Sequence, residues 1–468
     1  MEDRTRKLWR TQKFVQLAFQ GYYRSSQEKV DIPEKVGMRE FGMETFQQNW
    51  YCSKRKTETR LVLSKHVMVE KKEIGCGERG SELIRSPKCP KCGTRSPQWN
   101  NWSRHLGFGS REELLRALAD VPPQAVYHSA AFYQVPVATR MEEKGWQYAE
   151  LVFDIDADHL NSPCAKKHDA WVCRKPGCSG KGVGAPPEKC PECGGTSLFV
   201  MKWLCDECLR DAKAHAVKLY DEFLVDDFGI DVSHIQLNYS GHRGYHVRVN
   251  NPSVMRLDSN ARVEIVQFVL GMGIASEKMV VARADFVALP SRRVPGWGGR
   301  IADALIEFIR NIDDYTGKEK WVEPLKERRK EAIEGLSRNP PILSTAVKGI
   351  GPKSWQEIAA KAIDGTGPAI DMPVTHDIHR VIRLIGSLNG KTGFIATKLS
   401  RDAIADFDPF LDATAFEGEI KVLVPPLPLD VPRFRIGDQT YGPYNDEPLT
   451  LPSSAAMFLL CKGVATVD

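Results

Sequence analysis

The chain has 468 residues and a mass of 52.5 kDa, with 42% hydrophobic and 27% charged residues and a net charge of +5. This composition is that of a globular protein of two or three domains and excludes a largely disordered or fibrous chain. No apolar run reaches the roughly 18 residues of a membrane span, and the first residues lack a signal-peptide core. We therefore expect a cytoplasmic protein that makes no use of a membrane.

Cysteine usage is the first specific signal, because 11 of the 12 cysteines precede residue 210 and most form C-x-x-C pairs. In a long chain without an export signal this spacing indicates zinc, since disulfide frameworks belong to small secreted domains. The first pair is Cys89 and Cys92. Candidates for its remaining ligands are Cys76 and one of Cys52, His66 and His105. A third structural metal and a pair that has lost half its site are both open interpretations.

Residues 150–160, with the sequence ELVFDIDADHL, predict a short strand with two carboxylates on one face. Successive side chains of a strand alternate between faces, so Asp154 and Asp156 point away from the apolar residues between them. Two such carboxylates repel each other, and Mg²⁺ or Mn²⁺ is the usual partner. The simpler interpretation is the solvated side of an amphipathic strand, although Asp is depleted in strands.

Residues 164–208 predict a zinc-binding insertion with two ligand sets. An inner set with Gly-rich turns forms two tight knuckles suited to one tetrahedral site: Cys173, Cys178, Cys190 and Cys193. An outer set suggests a second site of three sulfurs and one imidazole: Cys164, His168, Cys205 and Cys208. The alternative is a single site with spare thiols. Four protein ligands leave no open coordination position, so these metals are expected to be structural.

After a helical segment at 206–227, residues 235–249 (IQLNYSGHRGYHVRV) predict two strand pieces around a turn. The turn and its flank can bring together a hydroxyl and three basic or imidazole side chains: Ser240, His242, Arg243 and His246. Arginine suits bidentate contact with phosphate, and histidine can add a charge-assisted hydrogen bond. The alternative is a decorated surface hairpin.

The stretch 255–362 contains several helical patterns and is predicted to be mostly helical, with a break at Pro340 and Pro341. Residues 368–399 follow, where Asp371 lies inside an apolar run and Thr375 is a fair N-cap for a helix reaching Ile385. A Gly-rich turn, GSLNGKTG, comes next and lacks the Walker A spacing. The tail from residue 405 is predicted to be extended and to carry no chemistry.

These motifs together resemble the small, catalytic subunit of archaeal and eukaryotic DNA primases. The resemblance rests on FDIDADH at 153–159, the Cys/His insertion after it, SGHRGYHVRV at 240–249 and IDMPVTHDIHRVIRLIGSLNGKTG at 370–393. Upstream, GYYRSS and REFGM at 39–43 resemble the family's N-terminal basic motif. The match runs with gaps from about residue 15 to about residue 400.

The resemblance implies roles for individual residues. It makes Asp154, Asp156 and Asp371 the ligands of catalytic Mg²⁺ or Mn²⁺, and Asp158 a bystander. It places the incoming nucleotide against a set of polar and basic residues: Ser240, His242, Arg243, His246, Arg383, Lys391 and Arg39. Asn389 stands where the family usually has His, so an ionic triphosphate contact is not expected there, although an amide can donate a hydrogen bond.

The implied fold is a mixed α/β (α+β) primase core with sheet-borne carboxylates, an inserted zinc module and a mostly helical insertion. The expected divisions are 1–163 and 209–254 for the core, 164–208 for zinc, 255–362 for the helical insertion and 363–468 for the remaining core and tail. The implied activity is primer synthesis on single-stranded DNA by two-metal transfer from NTPs or dNTPs. The implied partners are an iron-sulfur large subunit, in a heterodimer, and the replication machinery.

Three other functions fit the same residues. A stand-alone primase-polymerase of repair would need no large subunit. A metal-dependent nuclease or phosphoesterase would use the same carboxylates with water as the nucleophile. A zinc-ribbon module that binds nucleic acid without activity would not need the carboxylates at all.

Overall fold

The computed structural model describes residues 2–52, 55–63, 67–76, 78–83, 89, 92–93, 97–160, 164–283, 286–344 and 350–467. The chain mixes helices with antiparallel sheets, which confirms the predicted α/β class. Within these ranges no helix combines the length and the apolar character that crossing a bilayer requires.

The N-terminal part of the chain is mostly β-structure behind one long helix. Its helices are α1 (Glu2–Ser25) and α2 (Arg111–Asp120). Its strands are β1 (Phe41–Cys52), β2 (Arg55–Leu63), β3 (Val67–Gly75), β4 (Arg79–Glu82), β5 (Pro97–Leu106), β6 (Pro123–Ser129), β7 (Ala131–Tyr133), β8 (Trp146–Ala149) and β9 (Leu151–Asp156).

The cysteine-rich segment and the hairpin follow. The helices here are α3 (Ala165–His168) and α4 (Asp206–Lys218), which continues as a wider π-helical segment, Leu219–Asp227. The strands are β10 (Ala170–Cys173), β11 (Lys181–Val183), β12 (Leu198–Met201), β13 (Ile235–Tyr239) and β14 (Gly244–Val249). The helical segment at 206–227 and both predicted hairpin strands are confirmed.

The stretch predicted to be mostly helical contains seven helices and three short strands within its described residues. The helices are α5 (Pro252–Met255), α6 (Ser259–Val269), α7 (Ser276–Met279), α8 (Trp297–Arg310), α9 (Val322–Glu327), α10 (Arg329–Ser337) and α11 (Pro352–Ile363). The strands are β15 (Val281–Ala282), β16 (Phe286–Ala288) and β17 (Ile342–Ser344). The break at Pro340 and Pro341 separates α10 from β17.

The C-terminal part returns to the core with short elements and one buried helix. Its helices are α12 (Met372–His376), α13 (Ala403–Asp406), α14 (Pro409–Asp412) and α15 (Ser453–Lys462). Its strands are β18 (Val381–Arg383), β19 (Lys398–Leu399), β20 (Glu419–Val424), β21 (Phe434–Ile436), β22 (Gln439–Tyr441) and β23 (Glu447–Pro452).

Two sequence predictions for this part are wrong. The helix expected from Thr375 to Ile385 ends at His376, and Val381–Arg383 pairs with β6 as a strand, because its β-branched residues complete a sheet edge. The tail from residue 405 is also not merely extended. Its last helix, α15, has almost wholly buried side chains and packs into the main hydrophobic core.

Two antiparallel sheets form the framework of the site. The larger has the order β18-β6-β1-β4, with β5 also paired to β1, and the smaller has the order β19-β13-β14-β9. In β9 the side chains of Leu151, Phe153 and Ile155 are at most 1% exposed, whereas Asp154 and Asp156 are only partly buried. The predicted alternation is confirmed, and each buried apolar side chain contributes about 1.5–3 kcal/mol to stability.

Two buried arginines anchor the start of β9. Arg262 of α6 donates to the carbonyl oxygens of Ala149 and Glu150 at 2.7 and 2.9 Å. Arg39 donates to the Glu150 carboxylate at 2.8 Å and to the carbonyl oxygens of Ser129 and Ala130. The register of the carboxylate-bearing strand is thus fixed at its apolar end.

Candidate active site

The carboxylates predicted from two distant parts of the sequence meet at the end of β9. Asp371 lies at the N-cap of α12, and its backbone N–H donates to the carbonyl oxygen of Asp154 at 2.9 Å. Asp156 accepts a hydrogen bond from the N–H of Asp158 at 2.9 Å. The structure therefore brings the three predicted residues together at the edge of the smaller sheet.

Burial makes this group of carboxylates costly without a cation. The pKa of Asp154 is raised to about 6. Burial is the largest cause; the charge of Arg380 opposes it, and the charge of Asp371 adds to it. Burial also raises the pKa of Asp156, and the neighbouring Asp158 and Asp154 add to the increase. A divalent cation would remove this penalty, so the carboxylates fit a site for Mg²⁺ or Mn²⁺.

His246 lies directly across the sheet from Asp154. The two residues are register partners on β14 and β9, and His246 Nε2 lies 3.4 Å from Asp154 Oδ1. The pKa of His246 is lowered to about 3, chiefly by burial and also by the charges of Arg383 and Arg248. The imidazole is therefore neutral at physiological pH and offers one donor and one acceptor.

The turn between β13 and β14 is held from within by Ser240. Its hydroxyl accepts the backbone N–H groups of His242 and Gly244, each at 3.3 Å. Gly241 has a φ of +81°, a conformation that favours glycine. Gly244 must lack a side chain because a Cβ there would lie 2.3 Å from the carbonyl oxygen of Ile155. The sequence SGHRG is thus required for a tight turn beside Asp156.

The Gly-rich turn at 386–393 packs against this first turn. Thr392 Oγ1 donates to the carbonyl oxygen of Gly241 at 2.6 Å, and Asn389 Nδ2 lies 3.4 Å from the carbonyl oxygen of Ser240. Asn389 is 2% exposed, and its Oδ1 accepts the backbone N–H of Lys391 at 3.0 Å. Its amide therefore joins the two turns and directs the Lys391 backbone.

Positive groups collect around the paired turns. Lys391 is exposed, and both it and Arg383 lower the pKa of His242, which burial already places well below its usual value. Arg383 donates to the hydroxyl of Tyr127 at 2.9 Å, while its Nη1 is buried without an acceptor. Such a pocket, with a neutral imidazole and an unsatisfied guanidinium nitrogen, suits a phosphate-bearing anion.

Lys462 is a residue of this pocket that sequence reasoning missed. It comes from α15, and its Nζ lies 3.3 Å from His242 Nε2 and donates to the carbonyl oxygen of Lys202 at 2.8 Å. Burial lowers its pKa to about 7, and Arg243 and Lys391 contribute. The tail, which was predicted to carry no chemistry, therefore contributes a lysine beside His242, although 220 residues separate the two residues in sequence.

Arg243 faces the cysteine groups instead of the open pocket. It is 1% exposed and forms ion pairs with Asp158 at 2.7 Å and Asp169 at 3.1 Å, and its Nη2 lies 3.7 Å from Cys208 Sγ. Asp158, for which the sequence predicted no role, therefore forms two ion pairs, one with Arg243 and one with Lys202. Sequence alternation could not reveal this because Asp158 lies in the turn after β9.

Arg39 also lies away from the pocket. Its guanidinium is fully buried, stacks over Phe132 at 3.5 Å and pairs with Glu150 at 2.8 Å. Glu150 precedes Asp154 by four residues, about 13 Å along an extended chain. The structure therefore gives Arg39 a position that supports β9, separate from the residues around His242.

The two predicted ligand sets of the cysteine-rich segment both assemble. In each set one ligand atom per residue lies within 4.8 Å of all the others. In the inner set the Sγ separations are 3.6 Å for Cys173 and Cys193 and 3.7 Å for Cys178 and Cys190. Tetrahedral zinc with Zn–S bonds of about 2.3 Å requires sulfurs about 3.7 Å apart. The inner set therefore fits zinc.

The outer set has the second contact that zinc-bound histidines usually make. His168 Nε2 lies 3.3 Å from Cys208 Sγ, while its Nδ1 lies 2.9 Å from Asp169 Oδ1. A carboxylate on the far nitrogen fixes the ring and its tautomer for metal binding. This set, Cys164, His168, Cys205 and Cys208, could therefore hold a second zinc ion, and a single site with spare thiols does not describe the segment.

A third ligand group, made of four cysteines, forms at the end of β1. Cys52 completes the set with Cys76, Cys89 and Cys92, and the Sγ separations are 3.5 Å for Cys52 and Cys92 and 3.9 Å for Cys76 and Cys89. Of the other candidates, His66 lies outside the described residues, and His105 faces Glu40 at 3.4 Å. The interpretation as a pair that lost half its site is wrong.

Comparison with known proteins agrees with this architecture. Residues 202–401 match the family model described as DNA primase small subunit. A DNA primase small subunit PriS of Methanothrix thermoacetophila is 33% identical over 391 residues, covering 78% of this chain and 89% of the relative. The chain belongs to the DNA primase small subunit family.

Two further members of the family show how far the similarity extends. PriS of Halorubrum lacusprofundi is 34% identical over 380 residues, covering 77% of this chain and 86% of its own. PriS of Nitrosopumilus maritimus is 26% identical over 457 residues, covering 97% of this chain and 98% of its own. The similarity to a primase small subunit therefore includes the N-terminal and C-terminal parts that lie outside the family model.

Proposed function

We propose that this protein is the catalytic small subunit of a DNA primase, which synthesises short primers on a single-stranded DNA template from NTPs or dNTPs. The observation that carries the proposal is the hydrogen bond between Asp371 N–H and the Asp154 carbonyl. It joins a third carboxylate to the pair on β9, beside a pocket of cationic side chains. Family membership supports the same activity.

Asp154, Asp156 and Asp371 would hold the catalytic Mg²⁺ or Mn²⁺. Three carboxylates can share two divalent cations, as two-metal nucleotidyl transfer requires. When bound there, such cations supply the positive charge that activates a hydroxyl nucleophile and stabilises in-line transfer at the α-phosphate.

The residues around the paired turns would bind the triphosphate. Arg383 and Lys391 supply charge, and the neutral imidazoles of His246 and His242 supply directed hydrogen bonds. Ser240 shapes the turn that presents its backbone to the nucleotide. Because Arg243 is buried and pairs with Asp158 and Asp169, we assign it to positioning of that turn, and Arg39 to support of β9.

The remaining parts of the proposal concern metals and partners. The cysteine groups at 164–208 would hold structural zinc, because four protein ligands close the coordination shell. As a small subunit, the chain would act in a heterodimer with a primase large subunit, and the iron-sulfur cluster of that partner is an expectation from the family resemblance alone. We place the assembly in the cytoplasm with the replication machinery.

Incubation with a single-stranded template, nucleotides and Mn²⁺ tests the proposal. Template-dependent chain growth supports a polymerase, whereas shortening of the template would assign the same carboxylates to a nuclease and overturn it. Asp154→Ala, Asp156→Ala and Asp371→Ala should each abolish synthesis. Asp438→Ala, an exposed change in the turn between β21 and β22, should retain full activity. Synthesis that is equal in the wild type and all four variants would show that these carboxylates do not carry the activity and would overturn the proposal, and absence of synthesis in the wild type would leave only a binding module.

Priming without the large subunit distinguishes the remaining alternative. A stand-alone primase-polymerase would start chains as efficiently alone as with the partner. On our proposal, addition of the large subunit increases the number of new chains, while extension of a preformed primer depends only on the carboxylates of this chain.

A further inference from the structure

The positive charge of the chain is concentrated in one part of the sequence. Residues 48–100 contain 12 Lys and Arg against 5 Glu, a net charge of +7, whereas the whole chain has a net charge of +5. The rest of the chain is therefore slightly acidic. We call residues 48–100 the basic arm. One Zn²⁺ bound by four thiolates has a net charge of −2, so the arm would still be basic with that site filled.

Three strands of the basic arm belong to the larger sheet, namely the second half of β1, β4 and β5, whereas β2 and β3 pair with each other. The first half of β1 pairs with β6, and its second half pairs with β4 and β5. Behind the sheet, Trp50 is 6% exposed and packs with Trp99 against the four-cysteine group of Cys52. One face of β1 and β5 is thus packed against the four-cysteine group.

The opposite face of these strands is exposed and carries no carboxylate in two complete cross-strand rows. One row is Arg79, Tyr51 and Gln98, and the other is Ser81, Asn49 and Asn100. Tyr51 is 39% exposed, and the Arg79 guanidinium lies 5.2 Å from its ring centroid. An open groove is lined by both rows together with Trp50, Gly80 and Trp99.

We propose that this face of the basic arm binds single-stranded nucleic acid. The chemistry matches on each count: an exposed aromatic ring and a guanidinium plane stack on bases, amides read base edges, and the net charge attracts phosphates. A protein partner would be expected to contact apolar surface, whereas the exposed side chains of both rows are polar apart from the Tyr51 ring, and Trp50 and Trp99 pack against the cysteine group.

The proposal rests on the proposed function and deepens it by assigning a template-binding surface. Arg383, Tyr127 and Gly42 are register partners across β18, β6 and β1. Tyr51 lies nine residues along β1 from Gly42, about 30 Å in an extended strand. A template strand bound to the basic arm would therefore run along one sheet towards Arg383 and the carboxylates.

Fluorescence anisotropy with a labelled 25-nucleotide oligo(dT), measured on the full chain without nucleotides, tests the proposal. Tyr51→Ala should weaken binding about tenfold through loss of stacking. Arg79→Ala should reduce the salt dependence, log Kd against log salt, by about 0.7. Tyr51→Phe keeps the ring and should bind like the wild type. Lys318→Ala, an exposed lysine of the helical part, is the matched charge control and should also bind normally.

Unchanged affinity in both Tyr51→Ala and Arg79→Ala would overturn the proposal, as would equal losses in Tyr51→Phe and Tyr51→Ala. Normal DNA affinity together with loss of large-subunit binding would assign the face to protein contact instead. Zinc content per chain reports whether the arm is folded. If Tyr51→Ala loses metal, the DNA affinity of the surface variant Arg79→Ala tests the proposal. Because Asp154→Ala should bind DNA normally, a failure of the proposed catalysis remains distinguishable.

Discussion

Arg243 and Asp169 form an ion pair of 3.1 Å between the hairpin turn and the outer cysteine group. The second oxygen of Asp169 lies 2.9 Å from His168 Nδ1. One carboxylate therefore orients a histidine of the ligand set and holds an arginine of the turn beside the catalytic carboxylates. The outer ligand set and the hairpin turn are therefore coupled through these two residues.

Asp169→Asn tests this coupling. An amide cannot supply the charge that pairs with Arg243 or the basicity that supports His168, so we expect both zinc retention and primer extension to fall about 10- to 100-fold. Glu192→Gln at the inner set, whose carboxylate contacts Ser179 and lies 3.6 Å from Cys178 Sγ, is the matched control. Zinc content and extension rate are measured on the same preparations. Full activity in a variant that has lost zinc would contradict the coupling.

Asp154→Asn should stabilise the protein when no divalent cation is added. The folded pKa of about 6 exceeds the ordinary 3.8, so the folded state binds the proton more tightly and loses stability as pH rises from about 3.8 to 6. At pH 7 the neutral amide removes this penalty, worth at most about 3 kcal/mol. Thermal unfolding measures the gain, and Mn²⁺ should stabilise the wild type but not the variant. Asp438→Asn is the control; a destabilised Asp154→Asn would contradict the argument.

Lys462→Met should change both nucleotide binding and the pH dependence of stability. The pKa of Lys462 is about 7 in the folded state against 10.5 normally, so the unfolded state binds more protons between these values. Stability of the wild type therefore rises with pH in this window, by at most about 1.4 kcal/mol per pH unit. The variant should lose that rise and show a KM for nucleotide several-fold higher with kcat retained. Lys318→Met should show neither change, and an unaltered KM in Lys462→Met would remove it from the pocket.

Gly244→Ala should damage the pairing of β14 with β9. A Cβ at this position would lie 2.3 Å from the carbonyl oxygen of Ile155, so the strands must separate. We expect a loss of about 1–3 kcal/mol in the free energy of unfolding, with activity lost at temperatures where the protein remains folded. At Gly351 a Cβ would contact nothing within 4 Å, so Gly351→Ala is the control. Denaturant unfolding and primer extension check both variants.

The sequence predicted those features that are local in the chain. The alternation in β9 and the spacing of Cys173, Cys178, Cys190 and Cys193 follow from strand geometry and knuckle chemistry, and the structure has both. It did not predict that Asp158 pairs with Arg243, because that contact depends on how a turn packs against the cysteine segment. Nor could it find Lys462, whose position depends on the burial of α15.

The helix prediction for residues 381–383 was wrong for a different reason. Its apolar residues fit helical spacing as well as strand spacing, and only pairing with β6 decides between them. Cys52 was one of three equal candidates because its ligand role requires β1 to reach Cys76, Cys89 and Cys92. In each case tertiary contacts selected among local alternatives that the sequence left open.

The hydrogen bond from Asp371 to Asp154 also has a consequence for the order in which the protein becomes competent. It closes a loop of more than 200 residues, which contains the cysteine segment and the helical stretch. Contacts of such long range form late because loop-closure entropy opposes them until the intervening parts are compact. During synthesis the first two carboxylates therefore emerge long before the third. A nascent or truncated chain would carry the basic arm, Asp154 and Asp156 without Asp371.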